Sequence, residues 1–148
     1  MTENSETQTP PKQVGVLVVT HGEVGAALLD AAQMILGPQQ GCSAVSIQVS
    51  RGVEEIVVAL KSGVSKLDTG LGVVVLTDLF GGTPTTLSLS LFKGGNLEVV
   101  AGVNLPMLIK VLQDRMLPLS ELAARAKEAG QQGIVVPGEM LRKKAVGS

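Results

Sequence analysis

At 148 residues and a formal net charge of −1, the chain has the size of one domain and lacks the basic excess that a nucleic-acid partner requires. A hydrophobic fraction of 45% excludes a disordered chain, and with no Trp, no Tyr and two Phe (Phe80 and Phe92) the core must be aliphatic, with little aromatic surface to stack on bases. One cysteine, Cys42, allows no internal disulfide and fits a reducing compartment. The longest apolar runs reach about half of the ~20 residues that cross a bilayer. The N-terminus has no apolar signal region, so a soluble cytoplasmic protein is expected.

Residues 1–13 are polar, contain Pro10-Pro11, and read as a disordered extension. Val14–Val19 is the first aliphatic strand, and it ends in Thr20-His21-Gly22-Glu23. Val24, Ala27, Leu28, Ala31, Met34 and Ile35 then recur at helical spacing until Gly37-Pro38. Cys42–Val49 reads as a second strand. Val53, Ile56, Val57, Leu60, Val64 and Leu67 line one face of a second helix, with Glu54, Glu55, Lys61 and Lys66 off that face. Leu71–Leu76 is a third strand, followed by Thr77-Asp78-Leu79-Phe80-Gly81-Gly82-Thr83-Pro84. The alternation after Pro84 would suit a strand. A helix is preferred because Thr83 is a good N-cap and Pro84 suits the first helical position.

Asn96–Ala101 is a fourth strand broken by Gly102, and Asn104 can cap a helix that has Pro106 in its first turn. A further helix spans Leu119–Ala129, starting at Ser120 and closed by Gly130; Ile134–Val136 is a last short strand. Residues 138–148 form a solvated basic tail around Arg142-Lys143-Lys144, which leaves 14–137 as the domain. Strands alternating with helices predict an α/β fold: a doubly wound, mostly parallel sheet of four strands flanked by helices, plus the short fifth strand. Ligands of such sheets bind beyond the carboxyl ends of the strands. Thr20-His21-Gly22, the Thr77–Thr83 segment and Gly102-Val103-Asn104 all lie at such ends. They meet at one point if the first and third strands are neighbours.

His21 is the sole histidine and could act as base, metal ligand or nucleophile. Asp78, ending another strand on the same sheet edge, could fix its tautomer and leave the second ring nitrogen free. Gly81, Gly82 and Thr83 could bring backbone N–H groups to an anion at a helix start. Metal hydrolysis lacks ligands, with no second His or Cys. Neither a G-x-S-x-G elbow nor a G-x-x-x-x-G-K-[ST] loop occurs. A phosphohistidine site, with no metal and no cofactor, describes the combination best.

The chain also resembles the enzyme IIA domain of the mannose family of the phosphoenolpyruvate-dependent sugar phosphotransferase system. Four blocks carry the match: Val16–Gly22, Ala32–Gly37, Asp78–Pro84 and Ala101–Leu108. The resemblance implies that His21 accepts a phosphoryl group from phospho-HPr, that Asp78 orients it, that Gly81, Gly82 and Thr83 hold the phosphoryl oxygens, and that Asn104 lines the neighbouring loop. It further implies a homodimer in which Ile134–Val136 is swapped onto the partner's sheet. Membrane contact would arise only indirectly, through a IIC/IID transporter. Many mannose transporters fuse this domain to a IIB domain. Here the chain ends soon after Pro137, so a separate IIB protein is the expected acceptor. The alternatives are a regulatory module that uses the same phosphorylation, and the related phosphocarrier subunit of dihydroxyacetone kinase.

Overall fold

The computed structural model describes residues 11–48, 50–92 and 96–147. Ten elements follow one another: β1 (Gly15–His21), α1 (Val24–Leu36), β2 (Cys42–Ile47), α2 (Val53–Leu67), β3 (Val73–Thr77), α3 (Thr83–Leu89), β4 (Leu97–Ala101), α4 (Leu105–Gln113), α5 (Leu119–Gln132) and α6 (Pro137–Val146). The four strands form one parallel sheet in the order β2-β1-β3-β4. The expected α/β fold is therefore the observed one, and β1 and β3 are neighbours at its centre.

The two central strands owe their place to their composition. β1 and β3 are runs of Val and Leu with no polar residue until their last positions, and such runs are stable only when both faces are covered. Successive side chains alternate between faces. Val16, Val18, Val74 and Leu76 pack with Leu29 and Ala32 of α1, Leu108 and Val111 of α4 and Leu122 and Ala126 of α5. Leu17, Val19, Val73 and Val75 pack on the other face with Ile56 and Leu60 of α2, and Leu87 of α3 joins them. With α1 on one face and α2 and α3 on the other, the chain winds both ways from β1, and the order reverses between β1 and β3. That reversal opens a crevice beyond their carboxyl ends.

The amino end of the sheet is closed by a residue that sequence patterning does not single out. Arg115, in the loop between α4 and α5, is 3% exposed. Its Nε donates to the Val14 carbonyl at 2.8 Å, Nη1 to that of Gln40 at 2.6 Å and Nη2 to that of Gly41 at 2.8 Å. Val14 N–H returns a bond of 3.0 Å to the Arg115 carbonyl. Gly41 has φ +68°, and a Cβ there would stand 2.5 Å from Arg115 Nη2, so glycine is required where the guanidinium passes.

Several expectations are corrected. Within the single chain Ile134–Val136 is not paired as a strand: it joins α5 to α6, with the three residues 77%, 51% and 54% exposed. Its β-branched composition suits a strand, but it makes no ladder pairing with either edge strand of its own sheet, β2 or β4. α5 does not close at Gly130 but continues to Gln132. Gly130 is a packing residue, buried where a Cβ would come within 2.8 Å of Met107 Cε. The basic tail is helical through Val146, although no residue of α6 is buried. β2 ends at Ile47 and not at Val49, which lies outside the described residues, as does the extension before Pro11.

Replacing Arg115 by Ala leaves the carbonyls of Val14, Gln40 and Gly41 without their donors. Unfolding in urea should then require roughly 2–4 kcal/mol less free energy than in the parent, read from the midpoint at constant m-value.

Candidate functional site

The site is built by the ends of β1 and β3. Val19 is in register with Thr77, so His21 and Asp78 leave adjacent strands at nearly the same level. Thr20 is fully buried, and its Oγ1 accepts the Gly25 N–H at 2.8 Å, capping the start of α1 from the strand. Gly22, at φ +54°, turns the chain there and donates its N–H to the Ile47 carbonyl at 3.1 Å. His21 is thus held from both sides while its ring projects outward, with its side chain 50% exposed.

Asp78 meets it twice with one oxygen. Oδ2 accepts the His21 backbone N–H at 3.0 Å and lies 2.9 Å from the ring Nδ1. The double contact sets the imidazole's orientation as well as its tautomer: Nδ1 carries the proton shared with Oδ2, and the lone pair is left on Nε2. Burial pushes the Asp78 carboxyl up, but the His21 side-chain and main-chain hydrogen bonds and the His21 charge outweigh it and hold the group below the usual carboxylate range. Asp78 is therefore an anion at neutral pH. Its other oxygen, Oδ1, is buried without a hydrogen-bond partner among the described residues.

The glycine turn closes over the ring. Gly81 has φ +84°, which an L side chain rarely adopts. A Cβ on Gly82 would stand 3.0 Å from His21 Cε1 and 3.6 Å from Nε2, so the absent side chain leaves room beside the free nitrogen. Thr83 does not cap α3 as the sequence leads one to expect. Gly82 is the N-cap residue, no side chain caps the helix, and Thr83 is its first residue, exposed at the surface.

Asn104 does cap α4: its Oδ1 accepts the Met107 N–H at 3.0 Å and its Nδ2 donates to the Gly130 carbonyl at 3.0 Å. It makes no hydrogen bond to the His21–Asp78 pair. Its loop is nevertheless tied to the site strand, because Gly102 and Val103 both donate to the Thr77 carbonyl at 2.9 Å. No group of three or more His, Cys, Asp or Glu side chains able to hold a metal occurs among the described residues, and none of their helices is long and apolar enough to cross a membrane.

The family model described as the PTS system fructose IIA component, of the mannose type, matches residues 15–127. The chain belongs to the mannose-type enzyme IIA family. The matching model and the relatives are all named as components of the PTS system. The mannose-specific EIIAB component of Escherichia coli (strain K12) is 33% identical over 124 residues, covering 82% of this chain and 38% of that protein. The fructose-specific EIIA component of Bacillus subtilis (strain 168) is 30% identical over 132 residues, covering 88% of this chain and 90% of the relative. Among solved structures, the mannose/sorbose-specific IIA subunit from Enterococcus faecalis superimposes with a TM-score of 0.77 at 28% identity, covering 84% of this chain and 95% of that one.

Because the Asp78 carboxyl is held low in the folded IIA chain, its contribution to stability is complete above the ordinary aspartate value of about 3.9 and is lost as pH falls through the depressed folded value. The stability difference between the parent and Asp78→Asn should be constant near neutral pH. It should shrink steadily below about pH 4 in denaturant titrations run at a series of pH values.

Proposed function

We propose that this chain is a phosphohistidine carrier that accepts a phosphoryl group from phospho-HPr at His21 and passes it to a IIB acceptor during sugar uptake. The observation that carries the proposal is the 2.9 Å approach of Asp78 Oδ2 to His21 Nδ1, which leaves Nε2 as the nucleophile beside the glycine turn. In the transfer the Nε2 lone pair forms a bond to phosphorus as the bond from phosphorus to the donor nitrogen breaks, and the donor keeps that electron pair. The Nδ1 proton stays between His21 and Asp78. The carboxylate offsets the positive charge that develops on the ring, as in other histidine–aspartate pairs.

The donor is already a reactive phosphoramidate, so positioning and charge neutralisation suffice and no metal is required. Gly81 and Gly82 give the phosphoryl oxygens access to the backbone, and the exposed Thr83 offers a hydroxyl and a first-turn N–H. Asn104 contributes by holding the loop after β4 in place beside them. The donor and acceptor bind in turn at the same exposed ring.

The same proposal includes a homodimer. β4 is an edge strand, and along it and α5 runs a groove of about 520 Å³ lined by Val99, Ala101, Met107, Ala123 and Lys127. The exposed Ile134–Val136 segment of a second copy supplies a strand for that edge. In sedimentation experiments the parent should run as a dimer, and Val135→Pro, which removes a ladder N–H, as a monomer. A monomeric parent would end this part of the proposal.

The carrier role is tested by incubation with enzyme I, HPr and labelled phosphoenolpyruvate. The product should keep its label in base and lose it in acid, and folded His21→Ala should take up none. Undiminished labelling of that variant would remove His21 from the mechanism.

A further inference from the structure

The turn that carries Asp78 and Gly82 to the imidazole needs an anchor, and neither apolar burial nor its own backbone supplies one. Leu79 and Phe80 are 59% and 80% exposed. The single main-chain bond within the turn, Gly82 N–H to the Leu79 carbonyl, is long at 3.4 Å. Gly81 and Gly82 leave the chain more conformational freedom than any other residues would.

Two buried hydroxyls stand directly beneath. Thr85 of α3 is 3% exposed, and its Oγ1 donates to the Leu79 carbonyl at 2.7 Å. Thr77, the last residue of β3, is fully buried, and its Oγ1 lies 2.6 Å from Thr85 Oγ1. A hydroxyl has one proton, and a carbonyl can only accept. The Thr85 proton is therefore committed to Leu79, and Thr77 must be the donor between the two hydroxyls. The chain Thr77 O–H to Thr85 O–H to Leu79 C=O runs from the rigid end of the central strand into the turn. The Thr77 carbonyl meanwhile accepts the Gly102 and Val103 N–H groups, so β3, α3 and the loop after β4 are joined at this one residue.

We propose that Thr85, supported by Thr77, is a positioning residue for phosphoryl transfer at His21: its hydroxyl pins the Leu79 carbonyl and thereby sets where Asp78 and Gly82 stand against the ring. The inference rests on the carrier role proposed above. It differs from a purely stabilising role in what it requires. Thr85→Val keeps the shape and removes the donor, so the turn loses its register while the hydrophobic packing of α3 is kept.

The test compares Thr85→Val, Thr85→Ser and Thr77→Val with the parent in two measurements. In the first, the rate of His21 phosphorylation by phospho-HPr should fall about tenfold in Thr85→Val at saturating donor, with the donor KM changed by less than about twofold and most of the rate recovered in Thr85→Ser. The second needs no donor. His21 is the sole histidine, so nitrogen-15 NMR of histidine-labelled protein reports one ring. The parent should hold its proton on Nδ1, and Thr85→Val should shift the ring towards the Nε2-protonated form. Thr77→Val, which leaves the Thr85–Leu79 bond in place, should change both readouts in the same direction by less, and it carries the test if Thr85→Val does not fold. Parental rates and ring signals in folded Thr85→Val, or Thr85→Ser as slow as Thr85→Val, would overturn the inference. Should the parent itself fail to accept phosphate, the carrier role falls, and the NMR comparison still decides whether the hydroxyl pair orients His21.

Discussion

The parallel pairing of β1 with β3 is the constraint on which the rest depends. Neither strand has a polar residue before its end, so both must sit at the centre of a sheet covered on two faces. Once they are neighbours, the alignment of Val19 with Thr77 brings His21 and Asp78 out at the same end of the sheet, within hydrogen-bonding reach of each other. The carboxylate then receives two donors from one residue, the backbone N–H and the ring Nδ1. Local turn chemistry could not produce this contact, because the two residues are 57 positions apart in the chain.

The two ends of the sheet are built differently. At the amino end a buried guanidinium satisfies three carbonyls at once, tying the entry of β1 to the loop before β2. Its partners are all main-chain oxygens, so the contact holds the backbone in place without depending on another side chain's ionisation. At the carboxyl end the backbone turns through glycines with positive φ, and short polar side chains hold it: Thr20 on α1, Thr77 and Thr85 on the Leu79 turn, Asn104 on α4. Small hydroxyl and amide groups can anchor a turn from below while leaving the space above the imidazole open. Rigid support beneath an exposed reactive ring is what preorganisation requires.

The four strands of the sheet were legible because an unbroken aliphatic run has one stable setting in a chain of this size, but their order, with β1 beside β3, was not. Helix starts with their own chemistry, such as Asn104 before Pro106, were equally readable. Errors came where a local signal competed with a distant contact. Gly130 looks like a helix stop, yet α5 continues through it to Gln132, and Gly130 is buried against Met107. Thr83 looks like a cap, yet the chain turns one residue earlier at Gly82, close to His21. Ile134–Val136 has the composition of a strand, yet in the single chain it pairs with neither edge of the sheet. Arg115 left no trace in the pattern, since its bonds span 74 to 101 residues.

By itself, then, the sequence determined the alternation of strands and helices, the buried aliphatic character of the strands and the residue types able to meet at their ends. These properties follow from periodicity, propensity and burial, which act over a few neighbouring residues. The tertiary structure decided which atoms meet: Oδ2 of Asp78 with Nδ1 of His21, the ring with Gly82, and the Thr77–Thr85 pair with the turn. Such contacts depend on strand order and register to within an ångström. Those are set by the packing of the whole core, which no single stretch of the chain contains.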